Sequence, residues 1–120
     1  MSRIMTVDDE VEWLELYAEV LRDAGHDVES YADGVAAVRS IRVAPPDLVI
    51  LDIRMGPSGR QVLKSIREAH PDLPVIMSSA YGGYRDDPDF AMADGFVEKS
   101  TDLTELIQMV RGVLAKADTP

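Results

Sequence analysis

The stretch DLVILDIRMGPSG, residues 47–59, decides how the rest of the chain is read. Leu48 to Leu51 are four consecutive apolar residues that follow the Pro45-Pro46 break and stop at Asp52. A strand buried on both faces, with a carboxylate at its C-terminal end, has this pattern. Gly56, Pro57 and Gly59 then mark a turn, and Val62, Ile66 and Ala69 resume at helical spacing, so Asp52 is expected at a strand-to-helix junction. An Asp there serves as readily as a turn former or helix cap as it does as a reactive group. The rest of the chain has to separate those roles.

The 120 residues suit one domain with its own core. With 46% hydrophobic and 28% charged residues, the chain is globular rather than disordered. No cysteine is present, which excludes disulfides and thiolate metal sites. No apolar run approaches membrane-spanning length and no signal-peptide pattern is visible, so a cytoplasmic protein without membrane contact is expected. Twelve basic against 22 acidic residues give a net charge of −10, which repels a phosphate backbone and disfavours direct nucleic-acid binding.

Outward from the central stretch, Ile4 to Val7 forms a second short apolar run ending in acids, Asp8-Asp9-Glu10. Val11, Leu14, Ala18 and Leu21 share one face of the next helix, which Gly25 stops. Asp9-x-x-Glu12 also scans as a capping box for that helix. Asp27 to Ala32 alternates like an exposed edge strand, and Asp33-Gly34 opens a helix carrying Val35, Val38 and Ile41. Beyond the central helix, Val75-Ile76-Met77 reads as a buried strand stopping at Ser78-Ser79. Residues 82–87 are expected to be irregular, with a short helix from Pro88 to Asp94. Phe96-Val97 makes a brief last strand ending in Glu98-Lys99. Leu103, Leu106, Ile107, Val110, Val113 and Leu114 mark a firm amphipathic helix introduced by Asp102-x-x-Glu105. Trp13 suggests packing alone, and His26 and His70 suggest surface groups.

Strands and helices alternating with such short connections predict an α/β fold: a doubly wound, flavodoxin-like parallel sheet of five strands in the order 2-1-3-4-5. Helices cover both faces, and the fourth is short or irregular. The domain is expected over residues 1–117, with a frayed tail at 118–120. In that sheet the strand ends bring Asp8, Asp9, Asp52, Ser79 and Lys99 to one edge. Carboxylates gathered at one spot repel, and a hard cation such as Mg²⁺ (or Mn²⁺) neutralises them. Metal, ammonium, hydroxyl and a free carboxylate together suit phosphoryl transfer, with Asp52 as nucleophile.

Four motifs in order carry a family resemblance: VDDE at 7–10, LDIRM at 51–55, MSSAY at 77–81 and FVEK at 96–99. On these the chain resembles the receiver domain of two-component response regulators, in a stand-alone, chemotaxis-regulator-like form. The resemblance implies that Asp52 accepts a phosphoryl group from a phosphohistidine on a sensor histidine kinase or phosphotransfer protein. It implies Mg²⁺ held by Asp8, Asp9, Asp52 and the backbone carbonyl of Arg54. Ser79 would hydrogen-bond the phosphoryl group, Lys99 would pair with it, and Phe96 would change rotamer with Ser79 as the switch. A population shift across the fourth helix, fifth strand and last helix would then reach an unidentified downstream protein. The chain differs from the family pattern in placing Gly56 before Pro57 and Ser100 after the lysine.

Two other classes compete. A receiver-like interaction module would use the same fold without taking phosphate. A small aspartyl-phosphate phosphatase would share the nucleophile but needs a second acid two residues on, where this chain has Arg54.

Overall fold

A computed structural model describes residues 2–54, 59–80, 87–100 and 103–117 of the chain. Its elements run β1 (Arg3–Val7), α1 (Val11–Asp23), β2 (Asp27–Tyr31), α2 (Gly34–Val43), β3 (Leu48–Asp52), α3 (Gly59–Ala69), β4 (Val75–Ser79), β5 (Gly95–Glu98) and α4 (Thr104–Ala117), with a 3-10 turn at Pro88–Phe90 before β5. The five strands form one sheet in the order β2-β1-β3-β4-β5, and all four pairings are parallel. This is the doubly wound order expected from the alternation of elements.

All five residues of β3 are buried because the strand lies between β1 and β4 and is covered on both faces. Successive side chains of a strand point to opposite faces, so the apolar run divides in two. Val49 and Leu51 join Ala37 and Ile41 of α2 and Val62, Leu63 and Ile66 of α3. Leu48 and Ile50 join Tyr17, Ala18 and Leu21 of α1 and Leu106 and Val110 of α4. Burying any one of these larger side chains stabilises the domain by about 1.5–3 kcal/mol. At the edge, β2 buries only Val28, and Arg3 reaches across from β1 to Glu29 at 2.7 Å.

Several local expectations change in the folded chain. Helix α1 begins at Val11 with Glu10 as its cap, and the Glu10 N–H donates to Asp8 Oδ1 at 2.9 Å. The Asp9-x-x-Glu12 box is therefore out of register with the helix start. Val11 is 53% exposed, and Tyr17, which the apolar pattern passed over, is buried in its stead. In α2, Asp33 caps through the Val35 N–H at 3.0 Å, while Val35 itself is 48% exposed and Ala37 and Ile41 carry the burial. His70 is half-buried rather than a surface group, with Nε2 3.1 Å from the Ile41 carbonyl.

Gly59 was expected in a turn and is instead the first residue of α3. A Cβ there would lie 2.5 Å from the Asp52 carbonyl oxygen and 2.8 Å from Ile53 Cα, so the helix start is pressed against the end of β3. These neighbours are backbone and cannot swing aside. Gly59→Ala should destabilise the chain by about 1–3 kcal/mol through overpacking. An unchanged urea midpoint for that variant would show that the junction has room to give.

The segment before β5 follows the expectation of a stunted helix in its described part. Of the irregular loop expected over residues 82–87, all but Asp87 lies outside the described residues, as do Gly56 and Pro57 of the expected turn, Asp102 of the expected capping box and the tail at 118–120. From Asp87 on, a single 3-10 turn replaces a helix, anchored by buried Phe90. Arg67 of α3 ties the next residues to the domain, donating from Nε to the Met92 carbonyl at 3.0 Å and pairing with Asp94 at 2.9 Å.

Candidate functional site

Strand register sets the site. Val7 lies beside Leu51, Asp52 beside Ser78, and Ser79 beside Glu98, so β1, β3, β4 and β5 end along one edge. Asp8 follows β1 and is 5% exposed, and Asp52 closes β3 at 3%. Lys99 follows β5, and its backbone N–H donates to the Ser79 carbonyl at 2.6 Å, which carries the sheet pairing past the strand end.

The Lys99 side chain is 2% exposed, and its Nζ lies 2.7 Å from Asp8 Oδ2, 3.4 Å from Asp52 Oδ1 and 3.4 Å from Glu10 Oε1. Asp52 Oδ1 also accepts the Arg54 N–H at 3.3 Å. Its other oxygen, Oδ2, is buried and has no hydrogen-bond partner among the described residues. An orphaned buried acceptor is costly, and this one leaves the acid at the end of β3 with lone pairs open to an incoming group.

Burial, and then the negative charge of Asp8, push the Asp52 carboxyl up to about 6 against the opposing pull of Lys99 and the Arg54 N–H. Burial works against the Lys99 ammonium, but its hydrogen bond to Asp8 and the charges of Asp52, Asp8 and Glu10 outweigh it and raise its pKa. Among the described residues the site thus sets the Lys99 cation against an excess of carboxylate groups, with Asp8 and Asp52 buried beside it.

Asp8, Asp9, Glu10 and Asp52 each offer a carboxylate oxygen, and these oxygens lie within 4.8 Å of one another. Two of the acids are buried and two exposed, so the cluster opens to solvent on one side. All-oxygen donors with excess negative charge fit a hard divalent cation.

The sequence-chosen residues fall into two groups. Asp8, Asp52 and Lys99 are in direct contact, Asp9 is exposed at the rim of the acid cluster, and Arg54 joins through its backbone. Ser79 is fully buried at the end of β4, and Phe96 is 8% exposed, packed in the cluster that contains Met77 and Phe90. Three further residues meet the site that their sequence positions did not single out. Glu10, the third acid of its run, reaches Lys99. The Ser78 hydroxyl, on the strand position beside Asp52, lies 3.0 Å from the Tyr17 hydroxyl in a buried hydrogen bond. Tyr17 stands three residues after Leu14, a helical spacing that was available in the sequence, whereas the Ser78 contact needs the fold.

Residues 4–111 match the family profile for the response regulator receiver domain. The chain belongs to that family. This receiver domain is 33% identical over 123 residues to the DNA-binding response regulator MtrA of Mycobacterium tuberculosis, covering 98% of the chain and 52% of MtrA. It thus spans about half the length of the curated relatives it matches. Among solved structures, the response regulator TrrA of Thermotoga maritima, in complex with Mg²⁺-BeF, is 38% identical with a TM-score of 0.90, covering 94% of this chain and 99% of TrrA. TrrA bound to the histidine kinase ThkA superposes with a TM-score of 0.89 at 37% identity, over 95% and 99% of the two chains. The flavodoxin-like receiver fold is shared with these neighbours. No helix among the described residues is long and apolar enough to cross a membrane.

Proposed function

We propose that this receiver domain accepts a phosphoryl group on Asp52 from a phosphohistidine of a sensor histidine kinase or phosphotransfer protein, in a Mg²⁺-dependent reaction. The observation that carries the reading is the buried Asp52 carboxylate, with one oxygen held by Lys99 and Arg54 and the other without a partner among the described residues. The free oxygen keeps its lone pairs for attack on phosphorus, while the held oxygen keeps the carboxylate from rotating. As the new P–O bond forms, the N–P bond of the donor breaks and its electron pair leaves with the imidazole, which takes up a proton from solvent.

Asp8, Asp9, Asp52 and the Arg54 carbonyl would hold Mg²⁺ (or Mn²⁺), which supplies positive charge for the phosphoryl oxygens. Lys99, already within reach of Asp52, supplies a second positive charge from inside the protein, and the Ser79 hydroxyl a hydrogen bond. Phe96 would then repack with Ser79, shifting the population of conformers across the segment after β4, β5 and α4 toward a downstream partner. TrrA, with its bound Mg²⁺-BeF and its complex with a histidine kinase, supports the donor and the metal by similarity. The chain would act in the cytoplasm as a signalling domain rather than an enzyme, and its net charge of −10 opposes direct contact with DNA by these residues.

Acetyl phosphate and Mg²⁺ should add one phosphoryl group per chain, labile to base and mapped by peptide mass to the segment holding Asp52. Failure to label with either acetyl phosphate or a phosphohistidine donor would favour a receiver-like interaction module that takes no phosphate. Turnover of external phosphate monoesters would favour the phosphatase reading.

A further inference from the structure

Trp13 is the chain's single tryptophan, and it sits two residues into α1 with its ring over the site lysine. The Lys99 Nζ lies 5.6 Å from the indole centroid, on top of its three carboxylate contacts. The same indole meets the Tyr17 ring edge-on, with centroids 5.8 Å apart and planes at 68°. Tyr17 in turn is 3% exposed and hydrogen-bonded to Ser78, the β4 residue paired with Asp52. The indole thus lies between the Tyr17 ring and the Lys99 ammonium.

An ammonium has three N–H donors and no planar fork, so carboxylates alone leave it free to drift among them. Asp8 lies at 2.7 Å and Asp52 at 3.4 Å, so the ammonium sits between two acids and neither alone fixes its distance from the other. The indole face attracts the cation from a fourth direction and shuts out the water that would solvate it.

We propose that Trp13 is a positioning residue for Lys99: through the indole–ammonium contact it holds the cation between Asp8 and Asp52, within reach of both, and so sets the rate at which Asp52 takes a phosphoryl group. The inference rests on the function proposed above, and it makes Trp13 a built-in optical probe of the site. A partly desolvated cation–π contact corresponds to about 2- to 30-fold in rate.

The test uses acetyl phosphate with Mg²⁺, since a small donor needs no docking surface. Trp13→Leu should slow phosphorylation several-fold and Trp13→Phe should fall between it and the unsubstituted chain, each compared at matched fraction folded. In a Lys99→Met background, where there is no cation to hold, Trp13→Leu should change the residual rate less than twofold. An equal loss in both backgrounds, or Phe behaving like Leu, would overturn the proposal and leave Trp13 as packing. Should the unsubstituted chain take no phosphoryl group, the function itself fails, and the contact is then read in the unmodified protein by NMR. An upfield ring-current shift of the Lys99 ε-methylene protons that disappears in Trp13→Leu supports the positioning role, and resonances unchanged by the substitution refute it.

Discussion

An Asp52→Asn chain should take no phosphoryl group and, at pH 7.5 without divalent cations, should unfold at a higher urea concentration than the unsubstituted chain. The first effect follows from losing the anionic oxygen that attacks phosphorus. The second follows from linkage. In the folded chain burial and Asp8 push the Asp52 carboxyl up from 3.8 to about 6. Between those two pH values the folded state binds more protons than the unfolded state, so stability falls as pH rises through the window. Above about pH 6 the ionised carboxylate costs the fold on the order of 2–3 kcal/mol, since each tenfold difference in proton affinity between the two states is worth ~1.4 kcal/mol. The 3% exposure of Asp52 leaves little solvent to screen that cost. Asparagine fills the same volume without a charge, so the gain should be present at pH 7.5, shrink through pH 5 and vanish near pH 4. Urea titrations of both chains at those three pH values check it. Coincident midpoints throughout would mean that the site holds the Asp52 charge at no cost.

Lys99→Met should have the opposite sign and a larger size. Removing the cation leaves Asp8 and Asp52 buried side by side without the charge they share, and breaking a buried pair in this way costs about 3–5 kcal/mol. The loss should lessen at pH 5, because with the lysine gone Asp52 takes up a proton more readily and one of the two charges disappears. Mg²⁺ should recover part of the loss at pH 7.5, since a ligand that binds only the folded acid cluster stabilises by mass action. The variant should bind the cation at least as tightly as the unsubstituted chain, having no ammonium to compete. Thermal melts with Mg²⁺ and with chelator decide the point. A melting temperature that Mg²⁺ does not raise in this variant would remove the metal from Asp8, Asp9 and Asp52.

Both results would describe a site that stores instability for use. The acids that a metal and a phosphoryl group need are those that burden the unliganded fold, and Lys99 relieves that burden only in part. Stabilising the site is therefore expected to silence it.

The architecture was legible in the sequence because burial on a parallel sheet is recorded directly in composition. Leu48 to Leu51 can be uninterrupted only if both faces are covered, and a covered strand with short connections on each side leaves the doubly wound order as the natural solution. Asp8, Asp52 and Lys99 were legible for the same reason, since a charged residue ending an apolar run lies at the edge where the strands of a parallel sheet finish. Helix starts were less legible. The Asp9 capping box matched a pattern, but Asp8 took the Glu10 N–H because the end of β1 already held it there. Val11 and Val35 had the right spacing and lie in the first turns, beyond the reach of the sheet, so periodicity counted them as core and the fold left them exposed.

What the sequence determined by itself was the order of the strands and which acids stand at their ends, because both depend on local runs of residues. What only the tertiary structure decided was how the charges are shared. Glu10 reaches Lys99 across 89 residues of chain, Trp13 reaches it from the first turn of the same helix, and Tyr17 meets Ser78 across 61. Such contacts arise from the way helix α1 packs on its face of the sheet, an orientation set by the whole of its buried face. A side chain's electrostatic partners depend on distance in space, and no local pattern of residues records that.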